Sequence, residues 1–426
     1  MSKRATTRGA LVGALALAVA LTLLAGCTPP WSGGSSAAPA PYFSANDLSM
    51  DSPTDGWAVG LWVTSRLSPA GTVVTTETSA LAHYQQGQWT LAPTGIPAGQ
   101  EGELVRMLSP TDGWASFSYL LGNDLFYHYD GRYWTPIVLT PGQPRSSVVD
   151  ARITDLQVLP SGVGWAVGPT VVMQYAHGVW TNATSALPPR PADWQADWIY
   201  PGMRSVAVVS ASDAWATGDG GSIWHYDGVQ WRLVTSPYFP TSYYTSPSVN
   251  GRAALPGELA NDTLLTHEND ALFATQLLSP TQGWSVGGTI PGAVRGVAQW
   301  GPGVVEHDQN GAWQVVYTTT TKTSSDQPVL STVAMTAADD GWVGGVWYHF
   351  VQTSHGDAPM APLPSIDKPL LLHDEAGQWT LVSVPNVGAI HRLVMLSAND
   401  GWAAADGGLL HYMGGQWRQV LVRPAA

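Results

Sequence analysis

Cysteine is almost absent: the 426-residue chain has one, Cys27. No disulfide can form within the chain, so its fold is held by packing and hydrogen bonding alone. Charge is scarce as well. Charged residues make up 12% of the sequence, and only 18 are Lys or Arg against 31 Asp or Glu, for a net charge of −13. Such a surface excludes a nucleic-acid footprint. Gly (46), Pro (32) and Trp (21) are abundant. That balance points to many turns and many large flat side chains, in two or three ordinary domains or one large all-β domain.

The N-terminus reads as a targeting segment. Lys3, Arg4 and Arg8 precede ALVGALALAVALTLLA, an apolar run too short and too abruptly ended for a membrane span. It closes on Leu24-Ala25-Gly26-Cys27, which resembles the lipobox of bacterial lipoproteins. The resemblance implies that Cys27 is acylated and becomes the first residue of the mature protein. The expected organisation is a signal peptide over 1–26, a Pro/Gly/Ser/Ala-rich tether over 27–46 and a folded region over 47–426, lipid-anchored on the extracytoplasmic side of a bacterial cell membrane. Removing the signal deletes three basic and no acidic residues. The remaining acidic surface avoids anionic headgroups, so contact with the membrane is expected through the anchor only.

Two motifs recur seven times. The first, as in SPTDGWAVG at 52–60, places Trp57, Trp114, Trp165, Trp215, Trp284, Trp342 and Trp402 just after a turn. The second, an apolar pair, usually His-Tyr and then Gly-x-Trp or Gly-x-x-Trp, as in IWHYDGVQW, places Trp89, Trp134, Trp180, Trp231, Trp313, Trp379 and Trp417. Each unit reads as four short strands, A to D, joined by Asp-Gly and Gly-rich hairpin turns. Seven such units at spacings of 50 to 69 residues predict an all-β, seven-bladed β-propeller of four-stranded antiparallel blades. Its fourteen periodic tryptophans are expected in the core, since each buries about 150 to 250 Å².

The DGWAVG strand followed by a Gly-x-Trp turn resembles the repeats of photosystem II assembly-factor-like propellers and, more distantly, the Asp-box repeats of sialidase-type propellers. The likeness covers about residues 47 to 422. It departs from the Asp box in that Asp130 and Asp227 sit directly before their glycines and most other copies have no aspartate there. The resemblance implies the architecture and no particular activity.

If strands run outward from A to D, the A–B and C–D turns share one face and the B–C loops and D–A connections share the other. Insertions fall only on the second: 61–79, 182–201, 233–270, 288–303 and 345–368. In repeat folds, insertions gathered on one face mark the binding face. Arg106, Arg152, Arg204 and Arg392, near the starts of A strands, are candidates for a basic patch at the channel mouth suited to carboxylate or phosphate groups. Trp194, Trp198, Tyr200, Tyr243 and Tyr244, with Tyr238 and Phe239 beside them, are candidate aromatic contacts for sugars or a protein partner. His83, His128, His225, His307, His373 and His411 recur at one place in strand C. Ring symmetry keeps them apart, so no metal site is expected and they read as structural hydrogen-bonders. No catalytic constellation or cofactor motif stands out. Glu103, Asp155, Glu258, Glu268 and Asp270 are acidic positions on the loop face with nothing in the sequence to pair them. The expected role is a non-enzymatic binding or assembly scaffold for protein or glycan. The alternatives are a sialidase-like, glycan-active hydrolase using the channel mouth, and a structural cell-surface protein.

Overall fold

The structure, a computed structural model, describes residues 38–69, 71–93, 96, 99–119, 125–137, 152–189, 202–234, 248–249, 252–253, 270–289, 292–294, 297–299, 301–320, 326–349 and 367–424. These form seven sheets of four antiparallel strands, paired mainly in chain order as a β-propeller requires. Among the described residues there is no α-helix, only a 3-10 turn at Thr184–Ala186. Blade one comprises strand A at Tyr42–Ser52, B at Asp55–Leu67, C at Val73–Gln85 and D at Gln88–Leu91. The other A strands are Gln100–Ser109, Asp155–Val158, Met203–Ser210, Asp270–Ser279, Asp326–Ala337 and Ile390–Ser397. Successive A strands lie against one another, and that of blade seven lies against that of blade one, so the ring closes around them. Strand A of blade one begins at Tyr42, so residues 42–46 belong to the innermost strand rather than to the tether expected there.

The repeated turn has a local logic. In five blades a serine at the end of strand A caps it, as where Ser52 Oγ accepts the Thr54 N–H at 3.2 Å, with Ser109, Ser210, Ser279 and Ser397 doing the same. The C–D turns of blades one, three, five, six and seven put two consecutive residues at positive φ, as at Asn310 (60°) and Gly311 (80°). That is the two-residue hairpin geometry matched to strand twist. Blades two and four use Asp130 and Asp227 instead. Asp130 Oδ1 accepts the Arg132 and Tyr133 N–H groups at 2.9 and 2.8 Å, and Asp227 Oδ1 accepts those of Val229 and Gln230 at 3.0 Å each. These bonds to Tyr133 and Arg132 hold the Asp130 carboxyl below its usual range.

The tryptophans sit between blades. Each strand-B tryptophan packs onto strands C and D of the next blade: Trp57 on Tyr129 and Trp134, Trp114 on Tyr175 and Trp180, Trp165 on Tyr226 and Trp231. Twelve of the fourteen are buried, with Trp134 and Trp379 partly so. Many indole N–H groups lack a conventional acceptor. Five Trp–Trp pairs pack edge-on at interplanar angles of 77 to 85°, the arrangement that the ring quadrupole favours.

Ring closure reuses this joint. Trp402 of blade seven packs on Tyr84 and Trp89 of blade one, with ring centroids 4.8 and 5.5 Å apart. A strand at Val422–Arg423 then pairs in parallel with strand D of blade one, Val422 opposite Trp89. It makes that sheet five-stranded. The C-terminal residues thus cover an outer edge that would otherwise be open.

Candidate functional site

The two faces differ as the strand lengths dictate. In blade one, pairing of B with A stops at Val63, opposite Tyr42, while pairing of B with C runs on to Leu67 opposite Val73. The surplus is a two-stranded ribbon projecting from the B–C face, tied at its base by the Ser79 hydroxyl donating to the Gln100 carbonyl. Blade five adds a small hairpin at Gly292–Val294 and Val297–Gln299 on the same side. Trp194, Trp198, Tyr200, Tyr238, Phe239, Tyr243 and Tyr244 lie outside the described residues, as do Cys27, Glu258, His267 and Glu268.

The inner edge of the ring is where side chains converge. An innermost strand has no partner on its channel side, leaving backbone N–H groups to satisfy. One recurring position supplies them. Asp47, Asp155, Ser205 and Thr332 each stand ten residues before the strand-B tryptophan of their blade. Each reaches to the next blade: Asp47 Oδ2 accepts the Val105 N–H at 2.8 Å, Asp155 Oδ2 that of Val206 at 3.1 Å, Ser205 Oγ that of Thr275 at 3.1 Å and Thr332 Oγ1 that of Leu393 at 2.9 Å. Two residues further on, Ser49, Gln157 and Gln276 repeat the device onto Met107, Val208 and Met335. Sequence reasoning overlooked these bridges, although a polar residue ten positions before the strand-B tryptophan in five of the seven blades, with Leu104 and Ala274 as the exceptions, was a usable signal.

The four arginines occupy unlike places. Arg106 crosses the hub: its Nη1 donates to Asp47 Oδ2, its Nη2 to Asp155 Oδ1 at 2.7 Å, so one guanidinium joins blades one, two and three. Burial alone pushes the Asp155 pKa up, but Arg106, Arg392, the Ser205 hydroxyl and the Val206 N–H outweigh it and hold the carboxyl below its usual range. Arg392 stands beside this cluster, its Nε 3.7 Å from Asp47 Oδ1. Arg152 and Arg204 lie apart, paired with Glu103 and Asp219. The channel mouth is therefore a layer of alternating charge: Arg106 and Arg392 with Asp47 and Asp155. Below it a cavity of about 320 Å³ follows the A strands, lined by Gln157, Val208, Gln276 and Met335 among others.

At the B–C rim of blades six and seven, His391 Nε2 lies 2.6 Å from Asp406 Oδ1, and Asp406 Oδ2 accepts the Ala389 N–H at 2.8 Å. Burial lowers the His391 pKa, but Asp406 outweighs it and the imidazole ends above its usual value. Burial pushes Asp367 up to about 6. Tyr348 goes up to about 12, through burial first and the charges of Asp367 and Asp406 after it.

The strand-C histidines share one partner type. His83, His128, His225, His373 and His411 place Nε2 at 2.7 to 3.1 Å from the aspartate of the DGW or DAW turn in their own blade, namely Asp55, Asp112, Asp213, Asp340 and Asp400. Four of these five rings also stack on the strand-B tryptophan, as does His307, at 3.9 to 4.3 Å. In blade five Gln282 replaces the aspartate and the buried His307 Nε2 makes no hydrogen bond. Among the described residues no group of three or more His, Cys, Asp or Glu side chains is placed to hold a metal ion.

No protein-family model and no curated protein matches this chain. Solved structures similar to it include YCF48 bound to D1 peptide, with 14% identity, 87% of this chain and 92% of that chain covered and a TM-score of 0.48. The WD40 β-propeller domain of Doa1 has 11% identity, covers 88% and 94%, and scores 0.48. The GH74 enzyme of Niastella koreensis has 11% identity, covers 88% of this chain and 54% of its own, and scores 0.47. At these scores none of the three bears on what this chain does; its blade count and topology stand on its own sheets.

Proposed function

We propose that this protein is a lipid-anchored, extracytoplasmic β-propeller that serves as a binding or assembly scaffold for a protein partner, using the face that carries the B–C and D–A loops. The observation that carries this reading is the inequality of the faces. One face carries the short A–B and C–D turns; the other bears the projecting ribbon of blade one and the extra hairpin of blade five, and the sequence puts its long insertions into connections of that second kind. Loops freed from the repeat can diverge without disturbing the ring, and recognition surfaces are built there.

The hub supports a binding role over a hydrolytic one. Glycoside cleavage needs two carboxyl groups about 5 to 10 Å apart that are free to exchange protons. The two that converge at the hub, Asp47 and Asp155, are joined by a single guanidinium, and each accepts a backbone N–H from the next blade. Both are engaged in holding the ring.

The test is crosslinking of the full-length protein at the cell surface, followed by identification of what is captured. A specific protein should be lost when the ribbon tip is replaced by a tight turn and retained when Thr54 and Thr111 in the opposite turns are changed. Equal loss from both faces, or capture of glycan alone, would overturn the assignment. Cys27→Ser should abolish incorporation of labelled fatty acid and release the protein from the membrane fraction.

A further inference from the structure

The channel beneath the charge layer holds an unfinished polar site, on the opposite side of that layer from the loop face. Arg392 makes one ion pair, at 3.7 Å through Nε, and no hydrogen bond among the described residues. Its neighbours have little left to offer. Asp155 accepts from Arg106, the Leu156 N–H, the Ser205 hydroxyl and the Val206 N–H, which fills both of its oxygens. Asp47 Oδ2 is taken by Arg106 and the Val105 N–H. A guanidinium carries five N–H donors in a planar fork, and a side chain only 30% exposed does not leave them unmet without cost. Burial and then the Arg106 charge lower the Arg392 pKa, and Asp47 and Asp155 only partly offset them.

The same cavity, about 320 Å³, is lined by Arg392 at one end. Toward the A–B turns it passes Met107, Met335 and Met395, whose thioether ends lie over the strand-B glycines Gly113, Gly341 and Gly401 and so point away from the axis. Gln157 lines it too; its Oε1 accepts the Val208 N–H, while its amide nitrogen makes no hydrogen bond among the described residues. A fork of donors with a further amide donor in the same cavity selects a small, planar anion. Asp47 and Asp155 stand next to the fork, so a second negative charge on the ligand would be repelled.

We propose that the propeller channel is a binding site for a small monocarboxylate, its carboxylate on the Arg392 fork in the cavity that Gln157 also lines, reached from the A–B turn face. The site is independent of partner binding on the loop face, and each can be lost without the other.

The experiment is a titration of the full-length protein, labelled with ¹³C at the arginine guanidinium carbons and ¹⁵N at the glutamine side-chain amides, with propionate and, separately, inorganic phosphate. Propionate should shift the Arg392 and Gln157 signals saturably, leave that of the outer-strand Arg418 unmoved, and bind at least about tenfold more tightly than phosphate, which carries the second charge; in the Arg392 variants the Gln157 signal is read. Arg392→Gln should weaken propionate at least about tenfold, and Arg392→Lys, which keeps charge but loses the fork, about threefold to tenfold. Circular-dichroism melts establish that each variant is folded; should Arg392→Gln not fold, Arg392→Lys carries the test. No saturable shift up to about 10 mM, which would leave the fork to water, overturns the proposal. So does binding indifferent to both substitutions, or a preference for phosphate.

Discussion

The joint between blades seven and one and the joint between blades four and five are built from the same sequence device, yet they are not equally complete. At the first, Trp402 stacks on His411, whose Nε2 meets Asp400 at 2.8 Å, and packs against Tyr84 and Trp89, with the Val422–Arg423 strand laid over the outside. At the second, Trp215 packs on Trp313, but the tyrosine position is Asp308, fully buried, where neither carboxylate oxygen makes a well-formed hydrogen bond and the Gly311 N–H only partly offsets the burial. His307 beside it has no acidic partner, because Gln282 stands where the turn aspartate should be. A repeat protein tolerates a poor joint because each blade contacts only its neighbours. The joint that cannot be poor is the one that closes the ring.

The largest effect should come from breaking the good joint. Trp402→Ala should cost about 3 to 5 kcal/mol, and Trp215→Ala a smaller amount, read from urea unfolding followed by circular dichroism. Equal losses would remove the distinction between the joints. Next, Asp308→Asn should stabilise the protein by about 1 to 2 kcal/mol at neutral pH by removing an unsatisfied buried charge. Burial raises the Asp308 pKa, so the wild-type fold prefers the protonated form and loses stability as pH rises through the carboxylate range. The gain from Asp308→Asn should therefore be full above that range and vanish below about pH 4; a gain independent of pH would exclude this cause.

A smaller test exchanges the turn residue. Asp400→Ala should cost about 0.5 to 1.5 kcal/mol by freeing His411, whereas Gln282→Asp should gain a similar amount by giving His307 its missing partner. Burial lowers the His307 pKa. Gln282→Asp should raise it, so the added stability appears as pH falls through the histidine range, and an unmoved His307 titration would contradict the pairing. The smallest expected change is at the C–D turn of blade six, where Ala376 sits at φ 55° in a position that blade seven fills with Gly414. Ala376→Gly should gain about 0.5 to 1 kcal/mol in thermal melts, since a left-handed conformation strains alanine and not glycine.

Much of the architecture was legible in the sequence because it is periodic. Seven tryptophans after seven turns predict both the blade count and the alternation of short turns with long loops, and the structure has that count. The strand-C histidines were readable as hydrogen-bonders, though their partner, the aspartate two residues before the tryptophan, was not named. The hub was harder. Arg106, Arg152, Arg204 and Arg392 look alike in the sequence, each near the start of an A strand. Counted back from the strand-B tryptophan, Arg106 stands eight residues before it, Arg204 eleven and Arg152 thirteen, and that spacing separates a guanidinium that bridges three blades from two paired at the rim. That register depends on a bulge in strand A, such as the one between Gly102 and Leu104, which a linear pattern does not announce.

By itself the sequence determined the kind of unit, the number of units and which side chains fill the space between them, since apolar periodicity and turn chemistry act over neighbouring residues. Only the tertiary structure decided which polar groups meet at the axis. Asp47, Arg106, Asp155 and Arg392 come from four blades and span positions 47 to 392 of the chain. Their charges are neutralised, shared or left unfinished according to how the ring closes, because electrostatic partnership depends on distance in space and not along the chain.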